Sequence, residues 1–459
     1  MQKDKHEQSQ VDLEIINSIN SANRMLISLG FTKQSEAMTQ IACLMGYKYL
    51  SNNITKDNED IGYELNKEFR YENLLINKGN VIGILNLGIN QITKNNNSIQ
   101  ASDVFFDLFD LIDFDKFNKN ESWLIFIDVV EKICSETTAT IGEIMIIMTK
   151  YMTDDRIMFS FKPTYDCIKL LTTNQKDVKN LYDPFADDGT LLAQIGNVIN
   201  VENYYGQHPN HEKCIMAKMT LLTNDVNYKN IFIKCNDIME TTYWNVKFDL
   251  CVTIPPFGRK DGIFNEMDVR FGYFGHKKLS EISYLLDMFY NLDDNGTIKI
   301  IVPDAVLRSI QNKKIIQYLV DNEFISTIIG LPGGLFKATG ISTALLILNK
   351  TPKNKGIFYL NIKNAKTKRK SKNRDASIED IDNYIKILSN KEEIELTSNI
   401  ATIEDIREND YNLAINRYVD LEKLEEIDIK QTIANIKAIK TELKQVDEEL
   451  NAKIGGLLK

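Results

Sequence analysis

Between residues 150 and 365, short β-prone runs alternate with helical ones, and this alternation constrains the fold more than any other feature of the chain. Strand-like segments stand at 180–182, 204–206, 231–233, 248–253, 296–302, 325–330 and 344–349. Between them, 212–222, 281–291 and 313–321 carry apolar residues at helical spacing. Strands that recur with intervening helices predict a mostly parallel, doubly wound sheet. The last two runs, around Gly330 and Ser342, have no helix between them and predict an antiparallel hairpin at the sheet edge.

The flanks read differently. Residues 1–150 are expected to form a helical domain, with apolar three- and four-residue spacing over 11–29, 35–50, 104–117 and 123–134. No chemistry-bearing motif stands there, so packing on a partner or on the next domain is the expected role. The sheet domain is assigned to 151–365, a basic segment and helical link to 366–420, and a coiled-coil helix to 421–459. That last helix carries Ile429, Ile433, Ile436, Leu443, Val446, Leu450, Ile454 and Leu457 at spacings of three, four and seven. Such a seam needs a partner helix, in this chain or in another subunit.

At 459 residues the chain has room for two to three domains. Its 43% hydrophobic and 26% charged residues are ordinary for a soluble globular protein. A net charge of −9 excludes a uniformly basic coat but allows local positive charge. Lys363, Lys366, Lys368, Arg369, Lys370, Lys372 and Arg374 crowd one segment without an intervening acid. Read from charge alone, that run is a solvated loop. The six cysteines form no C-x-x-C pair and read as reduced core residues. The polar N-terminus carries no secretory signal, and the apolar stretch at 141–148 is too short to span a bilayer. A cytoplasmic protein with no membrane partner is the expectation.

The chemistry is expected at strand ends. Tyr182-Asp183-Pro184-Phe185-Ala186-Asp187-Asp188-Gly189-Thr190-Leu191-Leu192 follows a short strand and opens a helix, where Rossmann-like sheets bind a nucleoside cofactor. Tyr205-Gly206-Gln207-His208-Pro209-Asn210 ends the next strand, Asn236-Asp237 comes later, and Ile254-Pro255-Pro256-Phe257 follows the run 248–253. A rigid Pro-Pro turn at a strand's carboxyl end is suited to holding a planar or flipped-out substrate. Ile254, ahead of the prolines, can neither donate nor accept a hydrogen bond. His208 and His211 lack a third ligand and are not read as a metal site. No G-x-x-x-x-G-K-[ST] loop is present.

In order and spacing these motifs resemble the modification subunit of type I restriction-modification systems, a class of N6-adenine DNA methyltransferases. The likeness runs from about Phe161 to the C-terminus. Phe161-Lys162-Pro163 resembles F-T-P, and Asp183–Leu192 resembles D-P-x-x-G-x-G-x-(F/L)-L. Tyr205–Asn210 resembles Y-G-Q-E-x-N, and Ile254–Gly258 resembles N-P-P-F-G. Gly330-Leu331-Pro332-Gly333-Gly334-Leu335-Phe336, Thr339–Thr343 and Leu348-Asn349-Lys350 repeat the family's late signature. The resemblance implies a Rossmann-like sheet that binds S-adenosylmethionine (SAM), with Asp183, Asp187, Gly189, His208 and Asp237 lining the cofactor pocket. It implies DNA as a partner, with the basic segment contacting phosphates. It also implies a specificity subunit, or another methyltransferase-like subunit, on the C-terminal helix.

The departures from the family pattern fall in that pocket. Asp187 replaces a glycine beside the methionine part of SAM, and His208 replaces the acid that grips the ribose. Ile254 replaces the asparagine that accepts from the adenine amine. Three functions stay open: an active N6-adenine methyltransferase, a binding or scaffold subunit of the same fold without methyl transfer, and a methyltransferase with another acceptor. The three losses favour the second.

Overall fold

The computed structural model describes residues 5–31, 33–54, 60–152, 163–240, 244–259, 262–264, 267–275, 278–333, 335–336, 340–351, 356–368 and 377–419. It also describes helical positions 436, 439–441, 443 and 446. The strands are β1 (Asp177–Asp183), β2 (Asn200–Gln207), β3 (Ile231–Lys234), β4 (Phe248–Thr253), β5 (Leu292–Pro303), β6 (Ile325–Leu331), β7 (Thr343–Asn349), β8 (Ile357–Asn361), β9 (Thr367–Lys368), β10 (Ser377–Ile378) and β11 (Ser398–Ala401). Nine of them form one sheet in the order β11-β8-β6-β7-β5-β4-β1-β2-β3, while β9 and β10 make a separate ribbon.

The predicted parallel sheet is present: β1 pairs with β2 and β4, β2 with β3, and β4 with β5, all parallel. The expected hairpin is antiparallel, but it does not lie at the edge. β7 is inserted between β5 and β6, and β8 and β11 extend the sheet beyond them. β6 and β7 are buried along their whole length, so their outer neighbours are required to satisfy backbone groups and cover apolar side chains. Both β8 and β11 escaped the sequence reading, and β11 comes from the segment assigned to a link.

Alternating side chains divide the core between the two faces. Leu181, Leu250 and Val252 face the helices Tyr165–Thr172, Thr190–Gly196 and His211–Thr223, while Tyr182 and Cys251 face Glu281–Asn291 and Lys313–Asp321. The N-terminal helices Lys5–Ser28, Gln34–Asn53, Asn120–Ser135 and Ile141–Met152 share the first of these cores. The helix expected over 104–117 is mostly absent: a helix spans Ile99–Phe105, and the following residues form turns in which the Gln40 amide bonds the Leu111 carbonyl (2.9 Å) and the Asp113 N–H (3.0 Å). Four of the six free cysteines are buried, Cys134 is half-buried and Cys235 is exposed. Among the described residues no helix is long and apolar enough to cross a membrane.

Of the expected C-terminal seam, Ile436, Leu443 and Val446 are described and are 49%, 63% and 62% exposed. Ile429, Ile433, Leu450, Ile454 and Leu457 lie outside the described residues.

Candidate functional site

The strand order reverses between β1 and β4, and this brings two loops of distant sequence together. Leu181 pairs with Leu250 and Tyr182 with Cys251, so Asp183 and the turn beginning at Ile254 leave the sheet side by side. β2 and β3 run in the same direction beyond β1 and deliver His208 and Asp237 to that edge.

Asp183 is buried at the end of β1, and its Oδ1 accepts the Phe185 N–H at 2.9 Å. Burial pushes its carboxyl up to about 7, against the lowering influence of the Phe185 amide and Thr253; the Asp187 charge raises it further. The following loop is closed by Ala186 N–H to the Gln207 carbonyl (3.0 Å) and Gly189 N–H to the Ala186 carbonyl (2.8 Å). Gly189 has φ 77, and a Cβ there would stand 2.8 Å from the Ala217 Cα. Only glycine fits that backbone.

Asp187 keeps a left-handed backbone at φ 47, the conformation suited to glycine. Its carboxylate lies 2.8 Å from the Lys213 ammonium, and both side chains are largely shielded. Asp188 Oδ1 accepts from the Thr190 hydroxyl at 2.7 Å and from the Thr190 N–H at 3.3 Å at the start of the next helix.

His208 is buried, with its ring centroid 4.5 Å from that of Phe185. Its Nδ1 accepts the Asn210 N–H at 3.1 Å. Burial lowers its pKa to about 4, and this outweighs the opposing Asp187 charge. The ring is therefore neutral at pH 7, its Nδ1 is occupied, and Nε2 carries the proton. The two oxygens of Asp237 are also engaged: Oδ1 accepts the Met239 N–H at 3.0 Å and Oδ2 accepts from Arg259 Nη2 at 2.8 Å.

The Ile254-Pro255-Pro256-Phe257 turn points its apolar groups inward. Ile254 and Phe257 both belong to the core shared with the N-terminal helices, and Phe257 meets Phe336 edge-on at 6.4 Å. Gly258 N–H bonds Glu281 Oε1 at 2.7 Å and fixes the end of the turn.

The basic segment is only partly described. Lys363 bonds the Asp304 carboxylate, which also accepts the Ser342 hydroxyl at 2.8 Å, so this lysine is compensated within the fold. Lys366 is exposed, and Lys368 sits in β9. Arg369, Lys370, Lys372 and Arg374 lie outside the described residues, as do Phe161 and Lys162. His211 stands 3.8 Å from Asp107 and Asp110.

Sequence reasoning missed three residues of this edge. Lys213 and Arg259 pair with motif acids, and Arg270 anchors the loop after the turn. Arg270 Nε and Nη2 bond Asp268 at 3.0 and 2.7 Å, Nη1 bonds Asp287 at 2.7 Å, and Asp287 also accepts from the Tyr182 hydroxyl at 2.7 Å. Arg259 directly follows the Pro-Pro-Phe-Gly turn, a sequence signal that was available. Arg270 carries no comparable mark.

A family profile described as N-6 DNA Methylase matches residues 162–427. The chain belongs to that family. The type I restriction enzyme MpnII methylase subunit of Mycoplasma pneumoniae is 27% identical over 314 residues, 61% of this chain and 57% of that protein. The MjaVII methylase subunit of Methanocaldococcus jannaschii is 28% identical over 312 residues, 62% of this chain and 53% of that protein. The chain thus spans about half the length of these curated relatives. Among solved structures, the type I restriction-modification methyltransferase subunit from Streptococcus thermophilus superposes with a TM-score of 0.71 at 21% identity, covering 90% of this chain and 100% of that one. A chain of a type I restriction-modification assembly gives 0.63 at 13% identity, over 97% and 98%. At these identities the superpositions establish the fold.

Proposed function

We propose that this family member is a type I modification-subunit homologue that has given up methyl transfer and acts as a DNA- or partner-binding subunit. One observation carries the reading: the polar groups expected to receive a nucleoside cofactor are already engaged by the protein itself. Asp187 holds Lys213, His208 Nδ1 holds the Asn210 amide, and Asp237 holds Arg259. SAM would bring a carboxylate towards the Asp187 carboxylate, and a ribose diol towards a ring with one donor left. These residues do not fit that cofactor.

The reacting position points the same way. Ile254 is a buried apolar residue where a polar contact to an amine would be needed. Losing one such contact typically costs about 10²–10³ in rate. The partners follow from the reading: DNA through the basic segment, and a specificity subunit or a second methyltransferase-like subunit through the C-terminal helix.

The alternative, an active N6-adenine DNA methyltransferase using SAM and a specificity subunit, is favoured by Gln207. Its side-chain oxygen and nitrogen are fully buried without a hydrogen-bond partner among the described residues, a condition that a bound group or water would relieve. Calorimetry separates the two readings. The wild type is expected to show no micromolar binding of SAM, and the combined variant Asp187→Gly, His208→Glu, Ile254→Asn is expected to gain it. Equal affinity and equal methyl transfer by the two proteins would overturn the reading. Neutralising Lys368, Arg369 and Lys370 should weaken DNA binding and flatten its salt dependence; an unchanged slope removes that segment from the interface.

A further inference from the structure

Arg259 is placed by the chain on both sides of it. The turn before it is fixed by the Gly258 N–H to Glu281 bond of 2.7 Å. The loops that leave β4 and β3 then bring its side chain to Asp237, with Nη2 2.8 Å from Asp237 Oδ2. Nη1 stands 3.5 Å from the Tyr284 hydroxyl. The Arg259 and Asp237 side chains are only 17% and 12% exposed, so the pair is closed off from most solvent. The other Asp237 oxygen is taken by the Met239 amide at 3.0 Å.

A guanidinium is a flat group with N–H donors in its plane. An adenine presents the same kind of donor from its exocyclic amine. We infer that Arg259 is a resident stand-in for a purine base: it occupies the Asp237 carboxylate and weakens the hold of this edge of the sheet on a purine nucleoside. The inference rests on the reading of this edge as a former nucleoside pocket. It adds a specificity-determining residue that is separate from Asp187, His208 and Ile254. The competition is unequal. A charged donor bonds a carboxylate more strongly than a neutral amine does, and it is tethered to the site. An entering base must displace the stronger donor and leave a guanidinium to find solvent.

Two probes test this, adenosine and SAM, in the full-length chain. Removing the tethered donor by Arg259→Ala is expected to tighten adenosine binding at least tenfold over wild type in a ligand-observed NMR titration, a change of ~1.4 kcal/mol. Arg259→Gln, which removes the charge and shortens the reach, provides the same comparison should the alanine variant fail to fold. Adding Arg259→Ala to the Asp187→Gly, His208→Glu, Ile254→Asn variant should tighten SAM binding by a similar factor in calorimetry. Unchanged adenosine affinity in both single variants, with unchanged melting midpoints, overturns the inference and leaves Arg259 as a structural tether. Micromolar SAM binding by the wild type would sink the reading under Proposed function instead. Arg259 would then be judged by its own comparison, tighter binding in Arg259→Ala supporting it and equal binding overturning it.

Discussion

Replacing Arg270 by methionine isolates what holds the loop after the Pro-Pro turn. Arg270 is 3% exposed and bonds Asp268 through Nε and Nη2, Asp287 through Nη1 and the Glu240 carbonyl at 3.2 Å. Methionine fills much of the volume but leaves two carboxylates without their cation, Asp287 at 0% exposure and Asp268 at 8%. Breaking a buried pair from one side costs roughly 3–5 kcal/mol, because the remaining charge stays desolvated. The Tyr182 hydroxyl, 2.7 Å from Asp287, recovers a small part, so about 3 kcal/mol is expected at pH 8. The cost should also depend on pH. Burial already raises the Asp287 carboxyl above its ordinary value, and Arg270 is the largest influence lowering it. Without Arg270 the folded pKa rises further above the unfolded one, so the variant loses stability as pH rises through that window. Urea denaturation followed by fluorescence would measure this, with Trp244 reporting from 5.7 Å beside Tyr182. Asp287→Asn in the methionine background should restore about half the loss. A cost below ~1 kcal/mol at pH 8, or one no smaller at pH 5, would refute the argument.

Four further outcomes are expected. Asp183→Asn should remove a fall in melting midpoint as pH rises from about 4 to 7, since the folded carboxyl titrates at about 7 and the unfolded one near 3.8. His208→Gln should remove the opposite trend, a loss as pH falls from 6.5 to about 4, because the folded ring resists protonation. Lys299, buried with Nζ 2.6 Å from the Thr173 carbonyl, titrates at about 7 rather than 10.5, so wild-type stability should climb between those values and Lys299→Met should abolish the climb. Gly189→Ala should cost roughly 2–4 kcal/mol in urea unfolding, from the left-handed backbone plus the clash with Ala217, while Gly258→Ala at φ 73 in open space should cost only about 1.

Hydrophobic spacing was enough to read the strand–helix alternation and most helix positions, because those patterns are local. β8 and β11 were missed for the same reason: β8 reads as a short apolar run and β11, Ser398–Ala401, has almost none, so their place depends on the uncovered side of β6. The hairpin strands were likewise legible while their interior position was not, since periodicity says nothing about which strand lies beyond.

The candidate site divides along the same line. The chain by itself determined which motifs stand at strand ends, and that Asp187, His208 and Ile254 depart from the family pattern, because residue identity and order are properties of the sequence. Only the tertiary structure decided what those departures touch. Lys213 lies 26 positions after Asp187, and Arg259 lies 22 after Asp237. Each pair meets because parallel strands return the chain repeatedly to one edge of the sheet. Ion pairs of this kind are set by where strand ends converge, which no local pattern encodes.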